Sequence, residues 1–169
     1  MLSRKDIIAP DYVRNYVSLT KDDDVVLSLE KNTRAFSKFL NKIPRSKFDY
    51  AYAEGKWTIR EMLQHIIDTE RVFSYRAVSF ARRDSTPLPG FEESQWAANA
   101  DAAGRKWKDL RREFEALRDS NKYLIGSLTD QQLLLTGKAS GNDLNVLAIG
   151  FLFAGHVEHH MKIISERYL

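Results

Sequence analysis

The sequence predicts an all-α protein, a four-helix bundle with a long crossover between its second and third helices, and three observations carry that reading. Apolar residues recur at helical spacing in four long runs, no stretch alternates apolar with polar residues as a half-buried strand does, and the polar links differ greatly in length. The 169 residues, 43% hydrophobic and 29% charged, suit one domain over 1–169 with enough chain for a substantial core.

The first helix is expected from about Lys21 to Leu40, where Val25, Val26, Leu29, Phe36, Phe39 and Leu40 recur at helical spacing. Thr20 suits the N-cap, Asp22, Asp23 and Asp24 place negative charge where the helix dipole favours it, and Pro44 closes the run. Pro44 to Trp57 has no clear period and reads as an ordered connection holding Phe48, Tyr50 and Tyr52. The second helix opens at Thr58, because Thr58-Ile59-Arg60-Glu61 has capping-box spacing and Trp57 stands where it can staple onto Met62. Its inward stripe is Met62, His65, Ile66, Thr69, Phe73, Arg76 or Ala77, and Phe80.

From Arg82 to Ser94, two prolines and a glycine stop that helix, and Gln95 to Asn99 fits a separate short one. The third helix covers about Ala102 to Ser127, with Trp107, Leu110, Phe114, Leu117, Tyr123 and Leu124 toward the core. Thr129 to Gln132 repeats the capping signal, Lys138 to Asp143 reads as a loop, and Asn145 caps a fourth helix from about Val146 to Arg167. The first half of that helix is apolar nearly all round and belongs at the centre. A link of about 20 residues lets the second and third helices avoid being antiparallel neighbours.

Composition excludes several classes of function. With 26 basic and 23 acidic side chains interspersed, the net charge of +3 is too weak to argue for nucleic acid. Cysteine is absent, so there is no disulfide, no thiolate metal site and no cysteine nucleophile. Arg4, Lys5 and Asp6 interrupt the N-terminus before any signal-peptide core forms, and no stretch approaches the roughly 20 apolar residues of a membrane span. A cytoplasmic protein without membrane or nucleic-acid partners is the expectation.

The histidines carry the chemistry. There are four, and His156, His159 and His160 fall within Gly155-His156-Val157-Glu158-His159-His160-Met161. Residues i and i+4 share a helix face, so His156 and His160 can grip one ion. His65 lies about 10 Å inside the start of the second helix, and the His156/His160 midpoint about 13 Å inside the end of the fourth, at 1.5 Å per residue. If those helices run antiparallel, all three imidazoles meet at one level. Three nitrogens with an open position make a catalytic rather than a structural kind of metal site. Glu158 is two residues from each of His156 and His160 and turned about 200° away, which makes it a poor metalloprotease base. His159 sits about 100° round from His160, beside the site or at the surface.

The run Trp57-Thr-Ile-Arg-Glu61-Met-Leu-Gln-His65-Ile-Ile-Asp68 resembles the second-helix motif of the DinB/YfiT-like superfamily, and His156-x-x-x-His160 resembles its C-terminal metal motif. The Pro87-Leu-Pro-Gly-Phe91 link and the loop before the fourth helix are also similar, so the likeness spans nearly the whole domain. The resemblance implies an up-down-down-up bundle, a homodimer, and a divalent metal, zinc or nickel, on His65, His156 and His160. It implies hydrolysis of a small substrate, or transfer of a low-molecular-weight thiol to a small electrophile.

Around that centre, Asp68 is the weak candidate for a catalytic base or for a carboxylate orienting an imidazole. Arg71, Tyr75 and Arg76 could line a cavity and steer an anionic substrate, and surface pairing accounts for them equally well. Trp96 and Trp107 read as core or dimer contacts. The alternative function is a non-catalytic bundle that uses metal or a dimer face for interaction in a stress response.

Overall fold

Local chemistry sets the helix boundaries in the computed structural model, which describes residues 2–169; Met1, the first residue of the expected domain, lies outside them. A 3-10 turn over Arg4–Asp6 precedes α1 (Asp11–Val17), which sequence periodicity does not reveal because its seven residues bury only Val13 and Val17. Thr20 closes this helix rather than opening the next, its hydroxyl donating to the Val17 carbonyl at 2.7 Å. Asp24 is the cap of α2 (Val25–Lys42), accepting from the Leu27 amide at 2.8 Å, so the helix starts four residues later than expected.

The capping box opens α3 (Ile59–Ala81) as expected: the Thr58 hydroxyl accepts from the Glu61 amide and the Glu61 carboxylate accepts from the Thr58 amide. In the following link lies α4 (Glu93–Asn99). A 3-10 turn over Ala102–Gly104 precedes α5 (Trp107–Gly126), which begins later than the Ala102 expected. Thr129 forms a second capping box at α6 (Asp130–Leu133).

The expected loop over Lys138 to Asp143 is instead a hairpin of β1 (Thr136–Ala139) and β2 (Asn142–Asn145), antiparallel, with Ala139 opposite Asn142. Strands of four residues are too short to show alternation. Positive φ at Ser140 (50°) and Gly141 (77°) meets the condition of a type I′ turn. Asn145 then caps α7 (Val146–Arg167), its side chain accepting from the Ala148 amide at 3.0 Å.

Side-chain contacts give the directions of the long helices. Gln64, Glu70 and Ser74 on α3 meet, in rising order, Arg105 just before α5 and Arg118 and Asn121 on it, so α3 and α5 run parallel. His65 meets His156, and the Tyr168 hydroxyl donates to the Trp57 carbonyl at 2.6 Å, so α7 runs against α3. Phe36 packs on Phe114, and Asn32 accepts from Arg118, so α2 runs against α5. The result is an up-down-down-up four-helix bundle. Parallel α3 and α5 require the crossover to return along α3, whose 23 residues are about 35 Å long. That return is pinned to the hairpin: the Leu88 amide donates to Lys138 at 2.9 Å and the Ser140 amide donates to Leu88 at 3.0 Å.

Two apolar clusters fill the bundle, one around Phe80, Val146 and Phe151, the other around Phe36, Met62 and Phe114. Between them lies a buried polar layer that includes Asn32, Glu70, Arg118 and Asn121 beside His65, His156 and His160. The short helix α1 docks against α7 at Gly155, where a Cβ would stand 2.1 Å from the Tyr16 carbonyl oxygen. Among the described residues no helix is long and apolar enough to cross a membrane.

Candidate metal centre

Antiparallel α3 and α7 bring His65 to the level of His156 and His160, one turn apart on a single face of α7. Nε2 of His156 lies 3.2 Å from Nε2 of His65 and 2.9 Å from Nε2 of His160. All three side chains are buried, and their nitrogens lie within 4.8 Å of one another.

Neighbouring side chains fix the rings. Trp57 lies against His65 with centroids 4.7 Å apart, and the Thr69 hydroxyl sits 3.4 Å from His65 Nδ1. Tyr16 packs edge-on against His156 at 5.4 Å and against His159 at 5.2 Å. Nδ1 of His160 is buried without a hydrogen-bond partner.

Burial drives the His65 imidazole down to about 4 from an ordinary value of 6.5. Burial first, and then the neighbouring imidazoles, hold His156 and His160 well below that value. At neutral pH the rings are therefore uncharged, with lone pairs available. A cation bound tetrahedrally at about 2.05 Å would hold its nitrogen ligands about 3.3 Å apart. The two spacings from His156 are close to that and the third lies within 4.8 Å, so the donor set fits a divalent ion bound by three imidazoles.

Two cavities reach this cluster. One, of about 170 Å³, is lined by His156, Thr69, Tyr16, Arg76 and Glu93; the other, of about 280 Å³, is lined by His160, Trp57, Tyr168 and Ser94. Consecutive residues of α4, Glu93 and Ser94, thus face opposite approaches to the imidazoles. Glu93 is held above the usual carboxylate range, by burial first and then by the charge of Glu92.

The remaining expected residues separate. Asp68 is not with the imidazoles: its Oδ1 accepts from Gln64 Nε2 at 2.9 Å and pairs with Arg71 at 3.5 Å. The hydroxyl of Thr69 stands beside His65 Nδ1 instead, because three residues carry Asp68 onward to a different helix face. Arg71 also pairs with Glu113 at the surface, and Tyr75 is exposed. Arg76 is buried and lines the first cavity. His159 lies beside the cluster, against Tyr16, and Glu158 turns away to accept from Asn32 Nδ2 at 2.8 Å. Sequence reasoning missed Glu93, Tyr12 and Tyr16, since α1 and the start of α4 lack a readable period. It also missed the buried Arg118 and Glu70, although Leu110, Phe114, Arg118, Asn121 and Ile125 recur at helical spacing.

Comparison with known proteins agrees with this architecture. A protein of Oceanobacillus iheyensis named "Putative metal-dependent hydrolase" is 24% identical over 143 residues, covering 81% of this chain and 79% of its own. YfiT of Bacillus subtilis, which carries the same description, is 23% identical over 158 residues, covering 90% and 87% of the two chains. The solved structure of YfiT, described as a probable metal-dependent hydrolase with an unusual four-helix bundle topology, superposes with a TM-score of 0.73 at 20% identity, over 84% of this chain and 82% of that one. The family model of the DinB superfamily matches residues 28–164, a span that runs from α2 through the imidazole pair of α7, and the chain belongs to that superfamily.

Proposed function

We propose that the chain is a metal-dependent hydrolase of a small substrate, with His65, His156 and His160 as the ligands of one zinc or nickel ion. The observation that carries this reading is the convergence of three buried, uncharged Nε2 atoms with spacings of 3.2 and 2.9 Å. Names borne by the relatives support hydrolysis. A divalent cation bound there supplies Lewis acidity, acidifying water and polarising a carbonyl or phosphoryl oxygen.

The protein's own groups supply the rest. Thr69 and Trp57 keep the His65 ring in place, and Tyr16 does so for His156. Phe73, Phe91 and Leu152 make much of the first cavity wall apolar, which excludes bulk water and strengthens electrostatic interactions. Glu93, held above the usual carboxylate range by burial, lines the same cavity and is the carboxyl placed to exchange a proton with the attacking nucleophile and the leaving group. Transfer of a small thiol remains the neighbouring reading, favoured by the second approach to the imidazoles beside His160.

Elemental analysis of tag-free protein, wild type beside His156→Ala, tests the centre. Wild type is expected to hold about one zinc or nickel per chain and the variant none. A wild type that is metal-free and takes up neither added Zn²⁺ nor Ni²⁺ sinks the proposal. With metal present, turnover without added thiol selects hydrolysis over transfer.

A further inference from the structure

We propose that the cavity beside His156 contains a carboxylate subsite, in which Arg76 anchors the anionic end of a small substrate; this rests on reading the adjoining imidazoles as a hydrolytic centre. Arg76 is 2% exposed and lines the cavity. Its Nη2 donates to the Pro89 carbonyl at 2.8 Å and to Ser140 Oγ at 3.0 Å, while its Nε is buried with no partner. Among the described residues no carboxylate forms an ion pair with it. A buried cation normally has a counter-charge, and this one has only neutral oxygens and the face of Phe73, 4.7 Å from the guanidinium carbon.

The surroundings suit a ligand that supplies the missing charge. Ser140 occupies the first position of the hairpin turn at φ 50°, where asparagine, aspartate or glycine is usual and serine is strained. Its Oγ accepts from Arg76, leaving its own proton free to donate to a ligand. The crossover contributes Pro89 and the hairpin contributes Ser140, and backbone hydrogen bonds join these two segments, so the guanidinium is held from both sides. The Tyr12 and Tyr16 phenols add hydrogen-bond donors to the same wall.

Charge selects the kind of anion. The cavity holds one guanidinium, which matches a single negative charge and not a phosphate dianion, and burial favours the uncharged form of Glu93 on the same wall, so that it does not cancel the guanidinium. A volume of about 170 Å³ accommodates roughly one aromatic ring or a short aliphatic body. Phe73, Phe91 and Leu152 provide the apolar contact for that body, with the carboxylate at Arg76 and the scissile bond toward His156.

Calorimetric titration with acetate, benzoate and 3-phenylpropionate, each beside its neutral amide, tests the subsite. At least one acid should bind wild-type protein about tenfold or more tightly than its amide, in metal-replete and in EDTA-treated protein alike. Arg76→Met should abolish the preference and Ser140→Gly should weaken it severalfold. Equal binding of acids and amides, absence of binding by all three acids, or an unchanged preference in folded Arg76→Met overturns the proposal. Should Arg76→Met fail to fold by circular dichroism, the wild-type comparison and Ser140→Gly decide. Acid binding lost on EDTA treatment alone would put the carboxylate on the metal, overturning the subsite while leaving the metal centre standing. Acid binding in a protein that never takes up metal would do the reverse.

Discussion

Arg118 donates from Nε to Glu70 Oε2 at 2.6 Å in the middle of the bundle, and neither side chain reaches solvent. The same guanidinium donates to Asn32 on α2 at 2.9 Å and to the Phe153 carbonyl on α7, so one α5 side chain ties together all four long helices. Asn121 completes the pair by donating to Glu70 Oε1 at 2.9 Å. A buried pair of this kind is costly to break and cheap to replace as a unit. Arg118→Met is expected to cost about 3–5 kcal/mol in urea unfolding, and the double change Arg118→Met with Glu70→Leu distinctly less. A single variant within about 1 kcal/mol of wild type would show that the pair does not organise the bundle.

Thr69 and His65 form a second relationship, with the hydroxyl 3.4 Å from Nδ1. Groups that orient a ligand imidazole typically contribute 10–100-fold to metal affinity. Thr69→Val, nearly the same shape, is expected to weaken zinc binding by about tenfold in competition with a chromophoric chelator, without loss of helicity, and Thr69→Ser to retain it. Equal affinities for Thr69→Val and wild type would mean that Trp57 alone sets the ring.

Gly155 lets α1 reach the centre. A Cβ there would meet the Tyr16 carbonyl oxygen at 2.1 Å and its carbon at 2.5 Å, and backbone atoms cannot rotate out of the way. Gly155→Ala is therefore expected to lever α1 off α7, loosening the Tyr16 ring from His156, at about 1–3 kcal/mol and a Tm lower by about 5 °C. An unchanged melting curve, with Tyr16 still quenched from solvent, would contradict the close approach.

Legibility follows length and partnership. The capping boxes at Thr58 and Thr129 and the cap at Asn145 are local chemistry, and each stands where sequence spacing places it. The convergence of His65 with His156 and His160 could be expected from helical rise alone, because long helices convert residue number into depth. The hairpin and α1 could not, since four and seven residues give no usable period and their stability comes from docking. Asp68 and Thr69 show the same boundary at the scale of one residue: spacing names a neighbouring turn, and only the helix's placement decides whether the hydroxyl or the carboxylate stands beside the imidazole.

The depressed imidazoles set the direction of the acid response. The unfolded chain binds a proton at each histidine near pH 6.5, whereas folded His65 does so only at about 4, so between these values the folded state holds fewer protons. Stability is then fully present above about pH 6.5 and drains away as the pH falls toward 4, by on the order of 3 kcal/mol for His65. His156 and His160 act in the same direction but titrate together with it, so their effects do not simply add. The exposed Asp49 and the half-buried Glu113, both lowered by their arginine partners (for Glu113 against the opposing effect of burial), lose their small contributions only at lower pH. Thermal melts of EDTA-treated protein from pH 7.5 to 4.5 are expected to show Tm falling steadily below 6.5, with a shallower fall in His65→Gln. A flat profile across that window would mean that the three rings are not enclosed as a neutral cluster.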